Sequence, residues 1–289
     1  MLTHIRTIIK NAEKGGYAVG AFNINNLETL IAVLNAAEKL KSPVIIQTTE
    51  GAIKYGGHEE LAAMVRAAAA DLKVPVALHL DHGHDLEVIK KCFDLGYSSV
   101  MIDASDKPLK ENTRLTKKVV QLAHRKKIWV QAELGRLEGS EDWLKVGTGQ
   151  GFFTEPAEAK QFVKDTGVDV FAPAIGNYHG VQKILQNKVL KLDLKRLEKI
   201  DKLVKVPLAL HGASGFSSYQ IKNAIKRGIR VINIDSELRI SFTRAEKKFL
   251  RSNKDVFDPR KILTPAIKEM QKTVEQKIKL FGSKGKGGR

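Results

Sequence analysis

Short, continuously apolar runs alternate with longer amphipathic segments along the chain, and this alternation limits the fold more than any other feature. Runs such as VPVALHL and VPLALH are apolar at most positions, which is typical of parallel strands covered on both faces. The segments between them repeat apolar residues at helical spacing. We predict eight strands, at Tyr17–Ile24, Val44–Thr49, Val76–Asp81, Ser99–Asp103, Ile128–Glu133, Asp169–Ile175, Pro207–His211 and Arg230–Asp235.

Helices are predicted between these strands and after the last one. Ser217 with Gln220 is the pattern of a capping box, and Pro156 suits the first turn of another helix. Beyond the eighth strand, Pro259–Leu280 predicts an additional C-terminal helix. The clearest helical patterns between the strands are Leu27–Lys41, Glu59–Leu72, Leu86–Leu95, Asn112–Arg125 and Leu194–Val204.

Eight strand–helix units within 289 residues predict one α/β domain, a (β/α)8 TIM barrel, over residues 1–283. An open doubly wound sheet is the alternative, but no G-x-G-x-x-G follows the first strand. The basic, glycine-rich residues 284–289 are predicted to be a disordered tail. The longest irregular region, Gly135–Phe153, has the length of a functional loop.

The formal net charge of +17 raises the alternative of a non-enzymatic, nucleic-acid-binding protein. Segments such as LDLKRLEKIDKLVK mix both signs, as solvated helix faces do, and a positive field attracts a small anionic substrate equally well. We therefore predict no nucleic-acid partner. The absence of an apolar run of about 18 residues predicts no membrane span. With an N-terminus unlike a signal peptide, a cytoplasmic location is expected, and the single cysteine, Cys92, is predicted to be buried.

Polar side chains cluster at the carboxyl ends of six successive predicted strands, which is the end of a barrel that carries the active site. Three histidines at strand ends suit a catalytic zinc site with one open position. His79 is interpreted as support for such a site and His84 as structural or solvent-facing. The polar groups in strand order are His79–His82, Asp103 and Ser105, Glu133, Asn177 and His179, His211–Ser214, and Asn233–Glu237.

Glycines accompany two of these histidines, in HG at 179–180 and HGASG at 211–215. Backbone amides exposed in this way, close to a helix N-terminus, predict an anion site, with phosphate as the expected anion. An ordinary turn remains the alternative for this stretch.

An ordered set of motifs resembles the class II fructose-bisphosphate aldolases, from near residue 1 to about Ser283. No single motif is decisive, but their order is specific. The matching motifs are FNINN (22–26), HLDHG (79–83), SVMIDAS (99–105), AELG (132–135), AIGNYHG (174–180), LHGASG (210–215), INIDSELR (232–239) and DPRK (258–261).

The resemblance implies a role for each matching residue. His82, His179 and His211 match the ligands of a catalytic Zn²⁺, and Asp103 and Glu133 match positions that bind a second divalent metal or a displaced one; a monovalent cation is a further expectation. Asp81 matches the residue that exchanges the proton of the substrate's C4 hydroxyl, and Glu141 matches a loop acid/base. The expected substrate-binding residues are Thr49, Gly180, Lys183, Gly212, Ala213, Ser214, Asn233, Asp235, Ser236 and Arg260.

The activity implied by the resemblance is the reversible cleavage of fructose 1,6-bisphosphate to dihydroxyacetone phosphate and glyceraldehyde 3-phosphate, in glycolysis and gluconeogenesis, by a homodimer or homotetramer. Tagatose 1,6-bisphosphate is the alternative substrate. Asp235 favours fructose, because relatives that prefer tagatose tend to carry a small apolar residue there. A zinc hydrolase would need H-x-H on the first strand, which reads YAVGAFNI. A Schiff-base aldolase would need a lysine on a predicted strand, and there is none.

Overall fold

Eight parallel strands close into a barrel, as the alternating pattern predicted. The computed structural model describes residues 2–137, 139–140, 145–146, 152–186 and 190–288. Each barrel strand pairs with the next one along the chain, and the last closes on the first. The strands are β1 (Val19–Asn23), β2 (Val44–Thr48), β3 (Val76–Gly83), β4 (Ser99–Ile102), β5 (Trp129–Leu134), β8 (Val170–Pro173), β9 (Leu208–Leu210) and β10 (Ile229–Ile234); β6 (Gly139–Ser140) and β7 (Lys145–Val146) form a separate antiparallel pair.

Helices follow the barrel strands, and all the predicted ones are confirmed, including the additional C-terminal helix. Ser217 caps its helix through the Gln220 amide, but the Gln220 side chain instead accepts a hydrogen bond from the Leu192 amide. The helices are α1 (Ile5–Gly15), α2 (Leu27–Lys39), α3 (Glu50–Gly56), α4 (His58–Ala69), α5 (Leu86–Asp94), α6 (Leu109–Arg125), α7 (Pro156–Thr166), α8 (Gln182–Leu185), α9 (Leu194–Leu203), α10 (Ser218–Ile225), α11 (Ser236–Ser252) and α12 (Pro259–Phe281).

The interior of the barrel changes from apolar to polar along β1 and β3. Because alternate residues of a strand share a face, β1 directs Val19 and Ala21 into a buried apolar cluster, and Asn23 follows on the same face. On β3, Ala77 belongs to that cluster, and Asp81 lies four residues further on. The carboxyl end of the barrel is therefore a buried polar site above an apolar base.

Helix α1, which the sequence did not predict, covers the base of the barrel. Its buried residues Ile5, Ile8, Ile9 and Ala12 follow helical spacing and pack in the same cluster as the lower interior residues. This apolar contact closes the amino end of the barrel, opposite the polar site.

The C-terminal segment differs from the predicted disordered tail. The amides of Gly285 and Gly287 donate hydrogen bonds to the carbonyls of Leu40 and Lys41, at 2.9 and 2.7 Å. A Cβ at Gly287 would lie 2.9 Å from the Lys41 carbonyl oxygen, so glycine permits this approach. Residues 284–288 are therefore docked on the end of α2.

Within the part of the chain that the structure describes, no helix combines the length and apolar character that crossing a membrane requires.

Candidate active site

Three histidines and one glutamate meet at the carboxyl end of the barrel. One ligand atom from each of His82, Glu133, His179 and His211 lies within 4.8 Å of every other. The histidine rings approach edge to face, with centroids 4.8 Å apart for His82 and His211 and 5.3 Å apart for His82 and His179. The three histidines come from the ends of three different strands or from the loops that follow them, as the sequence predicted.

A β-bulge brings His82 into this cluster beside Asp81. Consecutive residues of a regular strand point to opposite faces, so both could not face the barrel interior. The pairing of β3 with β4 shifts register between Leu80 and Gly83, and His82 has φ 48°, in the left-handed region that few non-glycine residues adopt. The bulge thus turns His82 back towards the interior, a use of bulges that is common beside active sites.

Asp103 orients the His82 ring rather than joining the four-residue cluster. The Nδ1–H of His82 donates to Asp103 Oδ2 at 2.6 Å, which leaves Nε2 facing the cluster. Burial alone would raise the Asp103 pKa, but the hydrogen bond and charge of His82, the charge of His84 and the Ser105 amide together hold it well below its usual range. Asp103 is therefore an ionised partner of the kind that fixes histidine ligands.

His211 is completely buried and held from both sides. Its Nε2 lies 2.7 Å from the Gln131 side-chain amide, so Nδ1 faces His82 Nε2 at 3.1 Å and Glu133 Oε2 at 3.3 Å. Burial, followed by the nearby His82 and His179, lowers the His211 pKa well below its ordinary value. The ring is therefore neutral, which is the form that binds a metal.

This donor set fits a divalent metal ion. Imidazoles bind zinc and neighbouring transition metals, and catalytic zinc sites use three protein ligands with a further position open. The four convergent donor atoms, the neutral His211 and the Asp103-oriented His82 meet these requirements. The residues that can hold the ion are thus His82, His179 and His211, with Glu133 adjoining them.

Asp81 lies beside the cluster, buried and held by three side-chain amides. Its Oδ2 accepts hydrogen bonds from Asn23 Nδ2 at 2.8 Å and Gln47 Nε2 at 3.1 Å, and its Oδ1 accepts one from Asn233 Nδ2 at 3.0 Å. Oδ1 lies 3.8 Å from His82 Nε2. The carboxylate therefore has a fixed orientation next to any ion bound by the histidines.

The loop after β9 lies against the loop that carries His179. Gly212 has φ 55°, and a Cβ there would lie 2.6 Å from the Tyr178 carbonyl oxygen. Only glycine therefore allows the two histidine-bearing loops to approach so closely. Ala213 and Ser214 follow and are buried, while Gly180, in the other loop, has φ 89°.

Most of the other predicted substrate-binding residues lie at or near the beginnings of helices. Thr49 caps α3 through the Ala52 amide, Ser236 is the buried first residue of α11, and Asp235 accepts a hydrogen bond from Arg239 at 2.8 Å. Lys183 lies in α8, but its side chain is outside the described part, and Glu141 lies outside the described residues altogether.

Arg260 lies on the surface, with its side chain 89% exposed. Its Nε and Nη2 make hydrogen bonds to the Asp258 carboxylate at 3.0 and 2.9 Å. Its predicted contact with a substrate phosphate, which could cross a subunit interface, therefore stays a prediction.

Sequence reasoning assigned no role to Asn23, Gln47, Gln131 or Glu50. The first three are buried amides on strands, and a signal for two of them was present: Gln131 stands two residues before Glu133, and Gln47 interrupts an apolar strand. Glu50 Oε1 accepts the amides of His84 and Asp85, both at 2.7 Å, and so supports the turn that follows His82.

A parallel eight-stranded barrel with converging imidazoles and carboxylates at its carboxyl end defines a class of barrel enzyme whose site can hold a divalent metal. The family model described as "Fructose-bisphosphate aldolase class-II" matches residues 3–286. The chain therefore belongs to the class II fructose-bisphosphate aldolase family, and it is an enzyme of the aldehyde-lyase class.

Individual relatives match this chain along nearly its full length. The chain is 44% identical to the fructose-bisphosphate aldolase of Geobacillus stearothermophilus, over 99% of this chain and 98% of that protein, and 43% identical to that of Thermus caldophilus, over 96% and 97%. Among solved structures, a putative fructose-1,6-bisphosphate aldolase from Coccidioides immitis superposes with a TM-score of 0.89 at 31% identity, covering 98% of both chains. The YdjI aldolase from Escherichia coli K12 superposes with a TM-score of 0.83 at 36% identity, covering 99% of this chain and 100% of that one.

Proposed function

We propose that this chain catalyses the reversible cleavage of fructose 1,6-bisphosphate to dihydroxyacetone phosphate and glyceraldehyde 3-phosphate, with Zn²⁺ held by His82, His179 and His211. The observation that carries the proposal is the convergence of the histidine–glutamate cluster beside the fixed carboxylate of Asp81. The names of the relatives support the choice of substrate.

Asp81 and Glu141 are each proposed to carry out one of the two proton transfers of the reaction. Asp81 accepts the proton of the substrate's C4 hydroxyl as the C3–C4 bond breaks, which releases the aldehyde. Glu141 then donates a proton to C3 of the remaining three-carbon fragment, completing dihydroxyacetone phosphate. A bound divalent metal supplies Lewis-acid stabilisation of the negative charge that develops on the ketose oxygen.

The substrate phosphates would be held at positions remote from the bond that breaks, and so would orient it. For the ketose phosphate we propose the backbone of Gly180, Gly212, Ala213 and Ser214, supported by the positive φ angles of the two glycines. The side chains proposed to complete this part of the site are Lys183, Asn233, Asp235 and Ser236. Thr49 is proposed to contact the substrate, and Arg260 is proposed to contact its distal phosphate.

Asp103 and Glu133 are proposed to bind a second or displaced metal ion. Glu133 already adjoins the three histidines, whereas Oδ2 of Asp103 accepts the hydrogen bond of His82. A bound monovalent cation also belongs to the proposal. The proposed enzyme is a cytoplasmic homodimer or homotetramer.

The test measures cleavage of fructose 1,6-bisphosphate and of its tagatose epimer by the same preparation, together with its metal content. We expect zinc in the purified protein, loss of activity after chelation, recovery on adding zinc, and faster cleavage of the fructose epimer. Faster cleavage of the tagatose epimer would overturn the substrate. Activity that survives complete metal removal would overturn the metal-dependent chemistry.

A further inference from the structure

A partly buried ion pair outside the histidine cluster contacts the loop that follows β9. Glu237 lies in the first turn of α11, and its Oε1 accepts a hydrogen bond from the Gly215 amide at 2.7 Å. The same carboxylate pairs with Lys277 Nζ, at 2.7 Å from Oε1 and 2.6 Å from Oε2. One carboxylate thus joins the loop to α11 and to α12.

Lys277 is unusual for its burial. It is only 9% exposed, and lysines are rarely buried unless they are paired with an opposite charge. Its Nζ contacts both oxygens of Glu237, whose side chain is 22% exposed. Without the ammonium group, the carboxylate could turn towards water and release the Gly215 amide.

The loop is also confined by α8. Gly215 has φ 85°, and a Cβ there would lie 3.2 Å from Ile184 of α8. The end of the loop is therefore packed between α8 and the Glu237 carboxylate, so its position depends on both contacts.

The positive charge of Lys277 also matters for binding an anion in this loop. A carboxylate that is bonded to Gly215 lies next to Ser214, at the end of the backbone stretch proposed to hold a phosphate. Its negative charge would repel that phosphate unless it were neutralised. Lys277 supplies the neutralising charge through its direct contact with Glu237, in a partly desolvated position where screening by salt is weak.

We propose that Lys277 is a positioning residue for ketose-phosphate binding, acting through Glu237 to hold the loop from Gly212 to Gly215 and to neutralise the carboxylate beside it. The inference rests on the proposed function, because it assumes that this loop binds the phosphate. It gives the additional C-terminal helix a task in substrate binding besides the one proposed for Arg260.

The experiment compares Lys277→Met with wild type and with Glu275→Gln. The control removes a different ion pair from the same helix, since Glu275 Oε1 accepts from Lys39 Nζ of α2 at 2.9 Å. We expect Lys277→Met to raise the Kd for dihydroxyacetone phosphate, measured by calorimetry, by about tenfold, or about 1.4 kcal/mol. The KM for fructose 1,6-bisphosphate should rise in parallel, with kcat within about twofold of wild type and the zinc content unchanged.

A double variant separates charge from packing. Glu237→Gln with Lys277→Met leaves an acceptor for the Gly215 amide but no charge, so its Kd should return to within about threefold of wild type. If Lys277→Met does not fold, Lys277→Gln carries the same expectation, because it keeps a donor for Glu237 without the positive charge.

Three results would overturn the inference: an unchanged Kd in the Lys277 variant, an equal rise in Glu275→Gln, or no recovery in the double variant. Wild type that binds dihydroxyacetone phosphate without cleaving fructose 1,6-bisphosphate would overturn the proposed substrate alone. Wild type that binds neither compound would overturn the phosphate site, and the inference with it.

Discussion

Replacing Asp81 by Asn turns one oxygen of its carboxylate into an NH₂ group. That carboxylate accepts hydrogen bonds from three side-chain amides. Oδ2 accepts from Asn23 and Gln47, and Oδ1 accepts from Asn233. An asparagine must direct its own NH₂ group to one of these two positions. The less costly orientation directs the NH₂ group towards Asn233. The hydrogen bond from Asn233 is then lost, and those from Asn23 and Gln47 remain, with a neutral amide oxygen as their acceptor.

The structural cost can be worked out from these contacts. Hydrogen bonds to charged groups contribute about 1.5–3 kcal/mol and neutral ones about 0.5–1.5 kcal/mol, so one lost and two weakened bonds amount to about 3.5–6 kcal/mol. The smaller desolvation cost of a neutral amide offsets part of this loss. We therefore expect a net destabilisation of about 2 kcal/mol, or about 3 °C in Tm for a chain of 289 residues.

The catalytic cost should be much larger than the structural one. Asn cannot accept the C4 hydroxyl proton, and loss of a general base costs about 10²- to 10⁴-fold in rate. Zinc content should stay at the wild-type level, because Asp81 is not among the four clustered donors. Steady-state kinetics, thermal unfolding and metal analysis on one preparation make the test. A variant that keeps more than about a tenth of the wild-type kcat would refute the proton-transfer role.

Three further perturbations have defined outcomes. Ile8→Ala, in the helix that covers the barrel base, should cost about 2–5 kcal/mol in urea unfolding and leave KM unchanged; a changed KM would contradict the separation of base and site. Gly212→Ala should add about 1–3 kcal/mol of backbone strain and weaken dihydroxyacetone phosphate binding; unaltered affinity would show that the loop tolerates a Cβ. Burial, with a smaller contribution from His82, lowers the pKa of His79 from 6.5 to about 3, so below pH 6.5 the unfolded chain takes up a proton that the folded one does not. Stability present above pH 6.5 should therefore fall as the pH is lowered towards 3, by about 1.4 kcal/mol per pH unit from this group, and His79→Gln should remove that slope.

The barrel itself could be predicted because each strand has its own local signal. The hydrogen bonds to Asp81 could not, because Asn23 and Asn233 lie 58 and 152 residues away in sequence and meet it only when the barrel closes. Asp103 was predicted as a metal-binding position, but the structure pairs it with His82. That pairing follows from the register shift between β3 and β4, and a strand pattern contains no sign of such a shift.

Helix α1 could have been predicted from the sequence. Ile5, Ile8, Ile9 and Ala12 have the spacing of one helical face, but the segment is short, rich in charge and precedes the first strand. Its importance comes from what it covers, the apolar base of the barrel, and that surface exists only in the folded chain.

The left-handed backbone conformation of His82 determines which substitutions at this position are informative. An alanine at this position would remove the imidazole but would also have to adopt φ 48°, a conformation that costs a typical L-residue about 1–2 kcal/mol. Its effect on metal binding would thus be mixed with the effect of backbone strain in the bulge beside Asp81. Asparagine and glycine tolerate this conformation. They are the informative replacements here, whereas at His211, for which no positive φ is found, alanine serves well.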